Sequence, residues 1–214
     1  YLHVHQPWRV RQYSIFDVAS RHDYFSGGGN SAQDNEQIFH GIAEKSYLEM
    51  NRVLERTLAN HPEFKLSLSI SGVFLEQAQQ FNPEVIRSFQ RLVATGRVEL
   101  LASPYYHSLA FFYSRREFES QIALQKQKIQ DIFGVTPRVL ANTELAYNND
   151  LAKWAEAAGF RGVLAEGWDT VLGWRSPNFT YRPPETQHIG LLLKNYRLSD
   201  DIAFRFSNQD WSEW

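Results

Sequence analysis

Carboxylates, histidines and aromatic side chains are the chemistry-bearing residues of this 214-residue chain, which holds neither a cysteine nor a serine-centred nucleophile elbow. They fall where short apolar runs end. His3, His5 and Gln6 come first, then Glu76, then Tyr105, Tyr106 and His107, then Asn142 and Glu144, then Glu166, Trp168 and Asp169, and finally Ser199, Asp200 and Asp201. Residues of these types support acid/base or carboxylate-nucleophile chemistry. Cleavage of a sugar–sugar bond is the leading example, because it needs one carboxyl group as a proton carrier and a second to attack or to activate water. Each carboxylate alone could be a helix cap; their convergence on strand ends carries the reading.

Convergence requires elements that deliver these residues to one rim. Apolar runs at 1–5, 64–71, 97–102, 138–142 and 162–165, with another near 191–198, predict strands. The intervening stretches 36–58, 83–94, 115–133 and 149–158 predict helices, with Pro83 opening one and Gly134 and Gly159 closing two others. The alternation is that of βα units, hence an α/β fold with a mainly parallel sheet in a single domain. In a parallel barrel the carboxyl ends of the strands form the active face. Two long loops should flank it: 9–32, which contains Gly27-Gly28-Gly29, and 168–184, rich in Trp, Arg, Asn and Pro. No nucleotide-binding glycine fingerprint is present.

Lys+Arg 22 against Asp+Glu 24 gives a net charge of -2, so no basic field exists to hold nucleic acid or an anionic membrane surface. Six Trp, ten Tyr and fifteen Phe provide flat faces on which sugar rings stack, besides filling a core. The absence of cysteine fits a cytoplasmic protein, and no run approaches the ~20 apolar residues of a membrane span. The chain opens at Tyr1 inside an apparent strand, which reads as a trimmed start.

Several of these positions form motifs that resemble glycoside hydrolase family 57. His5-Gln6-Pro7 is similar to the family's first motif and Gly72-Val73-Phe74-Leu75-Glu76-Gln77 to its second. Ala141-Asn142-Thr143-Glu144-Leu145-Ala146 resembles the third, and Leu198-Ser199-Asp200-Asp201-Ile202 the fourth. Asp34-Asn35-Glu36, Ser103-Pro104-Tyr105-Tyr106-His107 and Gly167-Trp168-Asp169 look like the α-amylase-type members. The fifth motif has no counterpart before Trp214.

The resemblance implies an incomplete, TIM-like (β/α)7 barrel truncated at its C-terminal side. It also implies a retaining hydrolase of α-1,4-glucans that needs no cofactor and no metal. Glu144 would be the nucleophile and Asp200 the acid/base, with Asp201 as the alternative. A second carboxylate beside the acid would help it keep its proton. His5, Gln6, Glu76, Tyr105, His107, Trp168 and Asp169 would bind the glucan, whereas Trp8, Trp174 and Trp211 are expected in core or rim packing. A 4-α-glucanotransferase or branching enzyme shares the covalent intermediate.

Two other classes compete. His3 and His5 share one face of a strand and could form a metal pair, as in a metal-dependent polysaccharide deacetylase or a zinc mannosidase-like enzyme. No helical His-x-x-x-His accompanies them. A non-catalytic glucan-binding relative would keep the aromatics and bind without turnover.

Overall fold

Three short strands, β1 (Leu2–Val4), β2 (Leu66–Ile70) and β3 (Val98–Leu101), pair in parallel in that order. The computed structural model describes residues 1–26 and 34–208, so Gly27-Gly28-Gly29 and Trp211 lie outside the described residues. The chain divides into two compact units, Tyr1–Ser108 with Arg116–Pro137, and Leu109–Arg115 with Arg138–Trp214.

In the first unit, helices α1 (Asn35–Ile42) and α2 (Leu48–Asn60) are joined without a break by one π turn, Ala43–Tyr47. The uninterrupted helix expected over 36–58 is corrected by that turn. It inserts one residue and re-aims Tyr47, whose hydroxyl reaches Gln6 and whose ring meets Phe74 edge-on at 4.9 Å. Helix α3 (Gly72–Phe81) is not foreseen by periodicity, because Val73, Phe74, Leu75 and Ala78 are all buried and leave little polar stripe to read. Ser71 caps it, accepting from Phe74 N at 3.4 Å. Helices α4 (Pro83–Ala94) and α5 (Arg115–Phe133, in this unit from Arg116 onward) occupy the predicted ranges. Leu66, Leu68 and Ile70 pack with Leu54, Leu58, Phe74, Phe89 and Leu92 in one apolar core that supports the sheet. Buried Gln125 of α5 donates to the carbonyls of Ile70 and Leu101, both at 3.2 Å, and so ties the carboxyl ends of β2 and β3 together.

The second unit holds another parallel sheet, β4 (Val139–Ala141), β5 (Gly162–Glu166) and β6 (Gly190–Lys194). Helix α6 (Asn149–Ala157) follows β4, the short α7 (Asp169–Leu172) follows β5, and α8 (Tyr196–Phe204) follows β6. The strand expected near 191–198 ends at Lys194. Asn195 accepts from Leu198 N at 3.1 Å and starts α8, so Asp200 and Asp201 sit within a helix and not on a strand end. Both sheets bear out the α/β class with parallel strands.

Candidate active site

The first unit presents its polar groups at the carboxyl ends of β1, β2 and β3. Register pairs His3 with Ser69, and the His3 ring reaches the Ser69 hydroxyl at 3.3 Å; His5 meets the Ser71 hydroxyl at 2.8 Å. The His107 ring stacks on His3 at a centroid distance of 4.6 Å and lies tilted against His5 at 4.3 Å, with its own backbone left-handed at φ 55°. The His3/His5 pair is thus engaged in ring stacking and serine hydrogen bonds. Among the described residues no group of three or more His, Asp or Glu is arranged to hold a metal ion.

Glu76, half-buried on α3, is gripped at both oxygens. The Tyr105 hydroxyl donates to Oε1 at 2.7 Å and the Trp8 indole N–H to Oε2 at 3.4 Å. Tyr105 is itself buried; desolvation, and then the hydrogen bond to Glu76 and its negative charge, push the phenol far above its ordinary value. Gly72 makes this possible, since a Cβ there would lie 2.3 Å from the Tyr105 ring.

Gln6 points inward. Tyr47 donates to its carboxamide oxygen at 3.0 Å and Gln77 donates to its backbone carbonyl at 2.6 Å, so it anchors the turn that carries Pro7 and Trp8. Trp8, expected in core or rim packing, is half-buried against Phe25 and Phe81, and its indole N–H adds the bond to Glu76.

In the second unit Glu144 occupies a one-turn 3-10 helix, Thr143–Leu145, directly after β4. Thr143 and Leu145 are buried while Glu144 is exposed. The turn achieves this with two consecutive left-handed residues, Glu144 at φ 55° and Leu145 at φ 53°, at a cost of about 1–3 kcal/mol each. Asn142 holds it, donating from its carboxamide to the Ala146 carbonyl at 2.9 Å. Strain of this kind, braced by a buried amide, pushes a carboxylate outward from a strand end.

The two aspartates of α8 differ. Asp201 is buried, 7% exposed, with Arg205 donating to Oδ1 at 2.7 Å, whereas Asp200 is half-buried and makes no ion pair among the described residues. Asp201 is therefore a tether within α8, and the expected like-charge pair is weakened by the guanidinium beside it.

Trp168 is exposed, and Asp169 is clamped by Tyr196 OH at 2.7 Å and Arg197 at 2.8 Å, the first of which does most to hold its carboxyl below the usual range. Asp169 so joins α7 to α8. Glu166 pairs with Lys194 at 3.4 Å across β5 and β6, and Gly167 allows the close approach there, a Cβ at that point lying 2.3 Å from the Lys194 carbonyl. Trp174, expected in core or rim packing, stands 90% exposed, because Gly173 turns the chain outward after α7.

Comparison with known proteins adds to this geometry. The model of the family described as glycosyl hydrolase family 57 matches residues 1–214. A protein named "Putative alpha-amylase" from Methanocaldococcus jannaschii is 44% identical over 181 residues, which cover 84% of this chain and 38% of that protein. The crystal structure of 4-alpha-glucanotransferase from Thermococcus litoralis has a TM-score of 0.69 at 19% identity, over 95% of this chain and 28% of that one. The branching enzyme from Pyrococcus horikoshii has a TM-score of 0.68 at 16% identity, over 97% and 48%. At these identities the two structures show a shared fold. The chain spans less than half the length of each of these three relatives.

Proposed function

The chain belongs to glycosyl hydrolase family 57, and from that membership we propose that the whole protein is a retaining hydrolase of α-1,4-glucans such as starch, glycogen or maltodextrin. We further propose that its fold class is the incomplete, TIM-like (β/α)7 barrel.

The observation that carries the reading is the turn Thr143–Leu145, which holds an exposed carboxylate on braced, left-handed backbone at the end of β4. Ionised Glu144 attacks the anomeric carbon as Asp200 protonates the departing glycosidic oxygen. Asp200 then takes a proton from water, which displaces Glu144 from the glycosyl ester; two inversions give net retention. Asp201, whose carboxylate is committed to Arg205, is the alternative for the acid/base role. His5, Glu76, Tyr105 and His107 in the first unit, with Trp168 and Asp169 in the second, supply hydroxyl partners and a stacking face. Tyr105 acts by fixing Glu76, and Gln6 by fixing the turn before Trp8.

The names of the relatives favour a second outcome of the same intermediate, capture by a sugar hydroxyl in a 4-α-glucanotransferase or branching reaction. Full-length protein incubated with maltoheptaose decides between them: shortened chains mean hydrolysis, redistributed lengths or new branch points mean transfer. The same assay with Glu144→Ala should be nearly dead, and azide should restore turnover with an inverted glycosyl azide as product. Full activity in Glu144→Ala, or loss of wild-type activity to a chelator, would sink the carboxylate mechanism.

A further inference from the structure

A cavity of about 550 Å³ opens beside Trp8 in the first unit, within the roughly 300–1,000 Å³ of ordinary small-ligand sites. Trp8, Phe25 and Phe81 form an aromatic wall, with the Phe25 and Phe81 rings 5.5 and 5.6 Å from the indole. Asp23, Asp34 and Glu36 stand on the polar side, and no lysine or arginine is among the described residues that line it. His22 is the imidazole among those residues, so three carboxylates face a single basic side chain and an anionic ligand is disfavoured.

A cation is disfavoured too, since each carboxylate already faces a donor. Arg11 lies 3.2 Å from Asp23, Asp34 accepts from Gln37 N at 3.0 Å as the cap of α1, and His40 lies 3.9 Å from Glu36. What remains is a wall for stacking and carboxylate oxygens for hydroxyl groups. We propose that this cavity binds a neutral hexopyranose, namely a glucosyl unit of the glucan; the assignment rests on the glucan reading above.

The site is built in advance of its ligand. Buried Asn35 accepts from Arg9 N at 2.8 Å and donates to the carbonyls of Arg9 and Phe25 at 3.0 and 2.9 Å, fastening both sides of the loop to the start of α1. Arg11 N adds a bond to the Tyr24 carbonyl at 2.8 Å. The shared residue is Trp8: its ring walls the cavity while its N–H holds Glu76. A sugar stacked on that indole stiffens the arm that orients Glu76.

Calorimetric titration of full-length Glu144→Gln protein with maltoheptaose and with glucose tests this, alone and combined with Phe25→Leu or Asp34→Asn. Leucine keeps apolar volume without a stacking face, and asparagine keeps the helix cap without the charge. Each is expected to weaken maltoheptaose binding about five- to tenfold, with an unchanged melting temperature. Glucose binding that also falls in Phe25→Leu assigns the cavity to the free sugar as well; response to maltoheptaose alone assigns it to a unit within a chain. Either outcome supports hexopyranose recognition. If the Glu144→Gln parent binds maltoheptaose and both variants match it within about twofold, the cavity is no subsite and the glucan reading stands. If the parent binds neither sugar and wild type leaves maltoheptaose intact, both readings fall.

Discussion

The Tyr105 hydroxyl reaches Glu76 at 2.7 Å only because its ring lies where Gly72 has no side chain. Gly72→Ala forces the ring away and should cost about 1–3 kcal/mol by overpacking, with a drop in kcat/KM. Tyr105→Phe keeps the ring and removes the hydroxyl, so its melting temperature should change little while kcat/KM falls. Thermal melts and maltoheptaose kinetics of both variants check this. A Gly72→Ala protein normal in both would remove Gly72 from the arrangement.

Asp200 and Asp201 should separate by phenotype. Asp200→Asn is expected to lose about 10²–10⁴-fold in kcat, with little change in melting and with recovery on an α-glucosyl fluoride, whose leaving group needs no proton. Asp201→Ala removes the acceptor that Arg205 uses and should cost about 1.5–3 kcal/mol with most activity kept. The opposite pattern would move the acid/base role to Asp201.

Asn142 should act on Glu144 through position alone. Removing its amide with Asn142→Ala frees the Ala146 carbonyl and lets the left-handed turn relax. The expected result is a fall in kcat of about 10- to 100-fold with KM nearly unchanged. A rise in KM at constant kcat would contradict it.

Glu156 gives the second unit an acid-sensitive latch. Its carboxylate accepts from the backbone N–H groups of His188, Gln187 and Ile189 just before β6, and the bond from His188 contributes most to lowering its pKa below the ordinary 4.5. A depressed carboxyl stabilises the folded state above its unfolded pKa, and that contribution disappears as pH falls through the lower folded value. The melting difference between wild type and Glu156→Gln should therefore be full at pH 7 and shrink below about pH 4.5. A difference constant down to pH 3 would show that the charge is not what matters.

Much of the fold was legible because β2 alternates Leu66-Ser67-Leu68-Ser69-Ile70 and because Pro83 and the long period of 115–133 announce helices plainly. Helix α3 was hidden by burial on nearly every side, and α8 by an apolar run, Leu191-Leu192-Leu193, that masked the cap at Asn195. Local pattern does not carry hydrogen-bond partners from distant segments. Glu144 could be named from its neighbours, but the inward turn of Gln6, the Trp8–Glu76 bond and the Asp201–Arg205 tether depend on contacts that spacing does not encode.

The π turn at Ala43–Tyr47 makes the first unit a question of helical phase. A regular helix advances about 100° per residue, so deleting one residue there would restore ideal winding and rotate either α1 or α2 by that angle. Either Phe39 of α1 would leave the core, or Leu54 and Leu58 of α2 would leave it and Tyr47 would leave Gln6. Chain length across this short stretch is thus as tightly specified as side-chain identity, and an indel silent in most surface helices would here unseat the turn that carries Trp8.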